Sequence, residues 1–271
     1  MQKSENQPGG KKYIWSFAAG AAVGVLGGLM GLGGAEFRLP LLVAFFGFGT
    51  LEAIILNLLV SLVTVLVSLF FRAGTVSFTE VLSNWTLILN LLAGTLAGAY
   101  SGARIAGKIR EKWLNLSVMV LLAGLGVLLV SEPFVSFARN PLTGLGAVEI
   151  ISGVIAGYLI GVISSLLGVA GGELLIPTFM LLYGVEIKIA GSLALAVSFP
   201  TLIVGILKYR SDRRTGVAAR ERPFVFAMAA GSIAGAYLGS RLLGMVSGEF
   251  LSIFLGVLLF IAAIKIFYRN R

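Results

Sequence analysis

The chain of 271 residues contains no cysteine and no histidine. The first absence excludes disulfides and thiolate chemistry, and the second removes the commonest general base, proton shuttle and metal ligand. Charged residues are also scarce, at 12% of the chain against about a quarter in soluble domains. We therefore expect neither an enzyme nor a metal centre, and we predict no cofactor.

Long apolar runs make up most of the chain, which is 58% hydrophobic. Several runs reach about 20 residues, the length that spans a bilayer as a helix, and they lack the alternation of membrane β-strands. The pattern predicts an all-α polytopic membrane protein whose first partner is the lipid bilayer. A cleavable signal peptide is the alternative for the first run, but that run has a counterpart inside the chain.

The two halves of the chain align without a gap at an offset of 137 residues, the separation of Pro40 and Pro177. The segment "AGTLAGAYSGAR" at Ala93 matches "AGSIAGAYLGSR" at Ala230 in the same register. Shared composition would not keep one register so far, so this is an internal duplication. The predicted organisation is one integral membrane domain, with a polar tail at 1–12, repeat 1 at 13–131, a connecting loop at 132–145 and repeat 2 at 146–271.

The basic residues predict the orientation of the repeats. Each repeat holds about five helical elements, an odd number, so the second copy should be inverted relative to the first. Lys and Arg mark cytoplasmic loops, and they cluster in the tail, at 108–112, at 208–222 and at the end of the chain. Ten crossings with both termini cytoplasmic place every cluster on one side. Such inverted repeats are the architecture of many secondary transporters.

Two glycine-rich stretches interrupt the apolar runs, "GLMGLGGAEFRLP" at Gly28–Pro40 and "SLLGVAGGELLIP" at Ser165–Pro177. Glycine weakens a helix and proline lacks a backbone donor. We predict broken or re-entrant segments that meet near the midplane, where a transporter binds its substrate. The alternative is that glycine only permits close helix packing. We favour that alternative for two other stripes, Gly94, Gly98 and Gly102, and Gly231, Gly235 and Gly239.

Each interrupted stretch carries a carboxylate, Glu36 or Glu173, in the first turn of the half-helix that follows. A negative group is favoured there, and an intramembrane Glu usually faces a pathway. We predict that both residues couple transport to protons, with buried capping or pairing as the alternative. Arg38 has no counterpart, because Leu175 replaces it. It can reach Glu173, bind an anion or extend to the membrane interface.

A polar stripe lies on one face of the third predicted helix, with Asn57, Ser61, Thr64 and Ser68 at helical spacing. Ser and Thr in membrane helices often bond their own backbone or a neighbouring helix, and lining a pathway is the competing interpretation. The predicted substrate-binding set is Gly33, Gly34, Glu36, Arg38, Asn57, Ser61, Thr64, Gly171, Gly172, Glu173, Ser198 and Thr201.

The paired signatures "GLGGAEFRLP" and "GVAGGELLIP" resemble those of the TauE/SafE family, also called the sulfite exporter family. The resemblance covers nearly the whole chain and implies transport of small sulfur-containing anions across a prokaryotic inner membrane. The family commonly has an apolar residue after the glycines, whereas this chain has Glu in both copies.

The expected function is secondary transport of a small anion such as sulfite, a sulfonate or sulfoacetate. A channel with a fixed glycine-rich filter is the alternative. No nucleotide-binding glycine pattern follows a strand, so no nucleotide is expected as a partner. The net charge of +9 is assigned to cytoplasmic loops and not to nucleic-acid binding. A homo-oligomer is compatible with the sequence.

Overall fold

The computed structural model describes residues 9–105, 146–210 and 216–269 apart from Gly168 and Ala170, with parts of 123–131. Every regular element in these ranges is helical. Most of the predicted fifth element at 113–130, the connecting loop and the basic cluster at 108–112 lie outside the described residues. The boundaries of the four predicted segments therefore stay predictions.

The described elements follow the predicted order in both halves of the chain. Those of the first half are α1 (Gly9–Met30), α2 (Ala35–Pro40), α3 (Thr50–Arg72), α4 (Phe78–Ser83) and α5 (Trp85–Ile105). Those of the second half are α6 (Ala147–Leu167), α7 (Gly172–Tyr183), α8 (Ile187–Arg210), α9 (Gly216–Arg220), α10 (Arg222–Leu243) and α11 (Gly248–Arg269). Five described helices, α1, α3, α6, α8 and α10, are long and apolar enough to cross a membrane. The protein is therefore an all-α polytopic membrane protein.

Helices α1 and α10 pack with their backbones in contact. Their glycines have no side chain to separate the two helices, and an added Cβ would overlap the partner backbone. The contacts advance together along both helices and join Gly20 to Met228, Gly24 to Ser232 and Gly28 to Ala236. The two helices therefore run in the same direction.

The same packing joins α5 to α6, where Gly94 meets Val154, Gly98 meets Tyr158 and Gly102 meets Val162. Both glycine stripes that were assigned to packing are thus confirmed as packing surfaces. The first helix of each half lies against a long helix of the other half, α1 against α10 and α6 against α5. The two halves of the chain are therefore interleaved.

Contacts near the helix ends give the remaining directions. Lys12 near the start of α1 lies over Phe48, just before α3, and Arg72 at the end of α3 bonds Leu29 near the end of α1. Arg72 also bonds Lys188 at the start of α8. Helices α1 and α3 therefore run in one direction and α8 runs in the other.

Asn90 near the start of α5 bonds both Glu149 near the start of α6 and Tyr183, close to the start of α8. Helices α5, α6 and α8 therefore begin at the same end of the molecule. Corresponding helices of the two halves run in opposite directions, which supports the predicted inversion. The orientation of the termini relative to the membrane stays a prediction.

Candidate functional site

Both interrupted stretches turn sharply on glycines with positive φ. Gly31, Gly33 and Gly34 have φ of 80°, 77° and 73°, and Gly171 has φ of 77°. Side-chain-bearing residues rarely adopt this conformation. A Cβ on Gly34 would overlap Val23 of α1. One on Gly171 would overlap Ser164 of α6. These glycines therefore let the chain fold back against the preceding helix, and a side chain at either would meet that helix.

The first interrupted segment returns to the end of the molecule where α1 starts. From Gly34, beside the middle of α1, it runs through α2 and a π-helical turn at Leu41–Phe45 to Phe48 near Lys12. The amide of Phe46 donates to the carbonyl of Leu41, 3.0 Å away. Proline at position 40 supplies no donor, and wide turns of this type commonly accommodate such a defect.

The two interrupted segments meet each other, as predicted. A Cβ on Gly172 would lie 3.0 Å from the Cα of Leu32, which belongs to the first glycine turn. Gly31 in that turn lies against the backbone of Gly191 in α8. The first turns of α2 and α7 are thereby brought together in the interior of the described protein.

Glu36 and Glu173 lie in the first turns of α2 and α7, as predicted. Glu173 is 6% exposed. Both carboxylate oxygens of Glu36 are buried, and among the described residues no donor makes a well-aligned hydrogen bond to them, although the backbone amide of Glu36 itself interacts with its carboxylate. The two carboxyl groups are close enough to interact electrostatically. Arg38 interacts with Glu36 in the same way, through space and without an ion pair.

Arg38 is fully buried, so it does not extend to a membrane interface. Its Nη1 donates to Ser61 Oγ at 2.7 Å and to Asn57 Oδ1 at 3.4 Å. Its Nη2 donates to Thr64 Oγ1 at 3.1 Å and to Ser232 Oγ at 3.3 Å. Its Nε has no acceptor. Within the described residues, no carboxylate forms an ion pair with Arg38, so the expected reach to Glu173 is not made.

Three members of the polar stripe of α3, Asn57, Ser61 and Thr64, hold this guanidinium. Asn57, Ser61, Thr64 and Ser68 are all inaccessible to solvent, and Asn57 also donates to the carbonyl of Ala35 at 3.0 Å. Three members of the stripe therefore bond neighbouring elements, while Ser68 Oγ has no partner among the described residues. On α8, Thr201 donates to Val197 and lies 3.3 Å from the hydroxyl of Thr95. Ser198 on the same helix is also buried.

Arg72 and Ser232 belong to this buried polar region and were not predicted. Arg72 lies at the end of the apolar run that forms α3, yet it is 1% exposed. It donates to the carbonyls of Gly28, Leu29 and Lys188 and to Ser192 Oγ. A signal did exist, because Arg72 follows Ser68 by four residues and so continues the stripe of α3.

The fold and the buried polar centre define a polytopic helical membrane protein built around two interrupted helices. The sequence profile described as sulfite exporter TauE/SafE matches residues 7–266, nearly the whole chain. The chain belongs to this family of membrane transporters, as its glycine signatures indicated. No curated protein and no solved structure matches the chain.

Proposed function

We propose that this protein is a secondary transporter of small sulfur-containing or organic anions of the sulfite, sulfonate or sulfoacetate type. It would act in a prokaryotic inner membrane with both termini in the cytoplasm, and it would couple transport to protons through Glu36 and Glu173. One observation carries the proposal: two buried carboxyl groups lie where the two interrupted helices restart, within electrostatic range of each other.

Coupling follows from the charges at this centre. An anion does not enter a low-dielectric site that holds two ionised carboxylates, because like charges repel strongly there. An unpaired buried charge also costs much free energy, and neither glutamate has an ion pair among the described residues. At least one of the two therefore carries a proton when the anion is bound. The uptake and release of this proton by the glutamate link proton movement to anion movement.

Arg38 supplies the positive charge for the anion. It is fully buried and its hydrogen-bond partners are neutral. The residue at the same position of the second repeat, Leu175, is also buried but apolar. Arg38→Gln should therefore weaken anion binding at least about tenfold, the loss expected for one charge-assisted hydrogen bond. Leu175→Gln is the matched control and should weaken it much less.

The test of coupling uses purified protein in liposomes that enclose a pH-sensitive dye, with sulfite and sulfoacetate as substrates. Wild-type protein should move protons together with substrate and show saturable flux and counterflow. The double variant Glu36→Gln with Glu173→Gln should still bind substrate, with altered affinity, and should lose proton movement. Proton movement that survives in the double variant would refute the coupling. Ionic conductance without saturation or counterflow would identify the alternative, an anion channel.

A further inference from the structure

The two glutamates occupy equivalent positions but have different electrostatic surroundings. Arg38 follows Glu36 by two residues, whereas Leu175 follows Glu173 by two residues. Arg38 acts on Glu36 through space, whereas the described charge that acts on the buried Glu173 is that of Glu36. The side chains next to Glu173 along α7, those of Leu174, Leu175 and Ile176, are all buried and apolar. The duplicated carboxylates are therefore chemically unequal.

Within the described part of the chain, Glu36 and its neighbour Arg38 contain both a donor and acceptors that lack a hydrogen-bond partner. Among the residues that the structure describes, the Nε–H of Arg38 has no acceptor, and no group outside Glu36 donates to the two carboxylate oxygens of Glu36. These groups belong to residues two apart in a single short helix, yet they do not bond each other. Buried groups of this kind are rare in proteins, because each costs about 1–3 kcal/mol when it is left unpaired. A ligand with an anionic oxygen and a hydrogen-bond donor would satisfy both.

We infer that Arg38 and Glu36 together bind an oxyanion that also carries a hydrogen-bond donor, and that Glu173 alone carries the coupled proton. The inference rests on the proposed transport function and assigns separate roles to its two carboxylates. The anionic oxygen accepts from Nε of Arg38, and the ligand's N–H or O–H donates to Glu36. The described charge that acts on Glu173 is a like charge and its neighbours along α7 are apolar, so the proton that relieves the repulsion resides there.

The four other N–H groups of Arg38 narrow the class of ligand. They already donate to Asn57, Ser61, Thr64 and Ser232. A carboxylate usually binds arginine through two parallel N–H donors, but with the described partners in place only the Nε–H of Arg38 is free to donate. The site can therefore bond one negatively charged oxygen of the ligand. A sulfonate or a hydrogen sulfite ion can supply that oxygen. The donor on the same ligand then distinguishes it from simple anions of equal size.

The first experiment uses wild-type protein and two sulfonates of equal size, 2-hydroxyethanesulfonate and 1-propanesulfonate. They differ by a hydroxyl group in place of a methyl group. The hydroxyl ligand should compete with sulfite about tenfold better or more, since a hydrogen bond to a charged group is worth that much. Equal competition by the two sulfonates would overturn the assignment of Glu36 as a ligand-binding residue.

The second experiment separates the two glutamates with the isosteric single variants, measured in the dye-loaded liposomes. Glu173→Gln should retain sulfite exchange and lose proton movement. Glu36→Gln should keep the wild-type ratio of protons to substrate and show altered affinity for the hydroxyl sulfonate. Loss of coupling in Glu36→Gln with coupling retained in Glu173→Gln would overturn the inference and leave the proposed function standing. Coupling that survives in both single variants but fails in the double variant would show a shared proton and would also overturn it.

Discussion

Replacement of Arg72 by glutamine should destabilise the protein more than most single substitutions. The guanidinium of Arg72 satisfies three carbonyls that belong to different parts of the fold, those of Gly28 and Leu29 at the end of α1 and that of Lys188 at the start of α8. The first two carbonyls lie in the last turn of their helix, where no backbone N–H reaches them. Arg72 therefore holds α1, α3 and α8 together at one end of the molecule.

The magnitude follows from the groups that lose a partner. Each buried carbonyl left unpaired costs about 1–3 kcal/mol, so the two at the end of α1 would cost roughly 2–6 kcal/mol, while the carbonyl of Lys188 keeps partners within α8. The loss is offset because glutamine buries no charge and its amide can rebond some of the carbonyls. We expect a net destabilisation of about 3 kcal/mol, the lower end of the range for breaking a buried charged network. This corresponds to a fall in Tm of roughly 6–12 °C for a chain of this size.

The assay is thermal unfolding of the purified protein in detergent, followed by intrinsic fluorescence. Arg241→Gln is the matched control, because Arg241 is exposed and its described contact is with the ring of Tyr237. The control should change Tm by no more than about 2 °C. If Arg72→Gln unfolds at the temperature of the control, the bonds of Arg72 do not hold the three helices together.

Two further predictions concern helix packing and topology. Gly98→Ala should lower Tm, because the new Cβ overlaps the backbone of Tyr158, whereas Gly205→Ala should raise it slightly, because nothing lies near its Cβ and alanine favours a helix by up to about 1 kcal/mol. Equal shifts of Tm in the two variants would contradict backbone packing between α5 and α6. A single cysteine at Ser211 should react with an impermeant thiol reagent only after cells are opened, because the basic loop at 208–222 is predicted to be cytoplasmic. Labelling of Ser211→Cys in intact cells would refute that topology.

Much of the fold could be predicted from the sequence because the determining signals are local or repeated. Glycine marks the turns at Gly34 and Gly171, and the offset between the halves identifies matching elements. The first turns of α2 and α7 begin where the pattern placed them, and both carry the expected glutamate. These features depend on short-range backbone preferences and on hydrophobic length.

The polar centre was harder to predict because its contacts join distant parts of the chain. Arg38 bonds Ser232, which lies 194 residues away, and Arg72 bonds Lys188, which lies 116 residues away. No periodicity within one helix specifies such a partner. The polar stripe of α3 was recognised, but its role was not, because a stripe that lines a pathway and one that surrounds a guanidinium have the same spacing.

The packing of α1 on α10 also bears on how such a protein could evolve by duplication of a chain that held one repeat. A single repeat, folded alone, would present the glycine faces of its first and fourth elements with no backbone opposite them. A second copy in the opposite orientation supplies the missing surface twice, once at α1 and α10 and once at α5 and α6. A chain of one repeat would therefore leave both glycine faces uncovered unless it paired with an antiparallel copy. Fusion of two such genes would have made that pairing permanent.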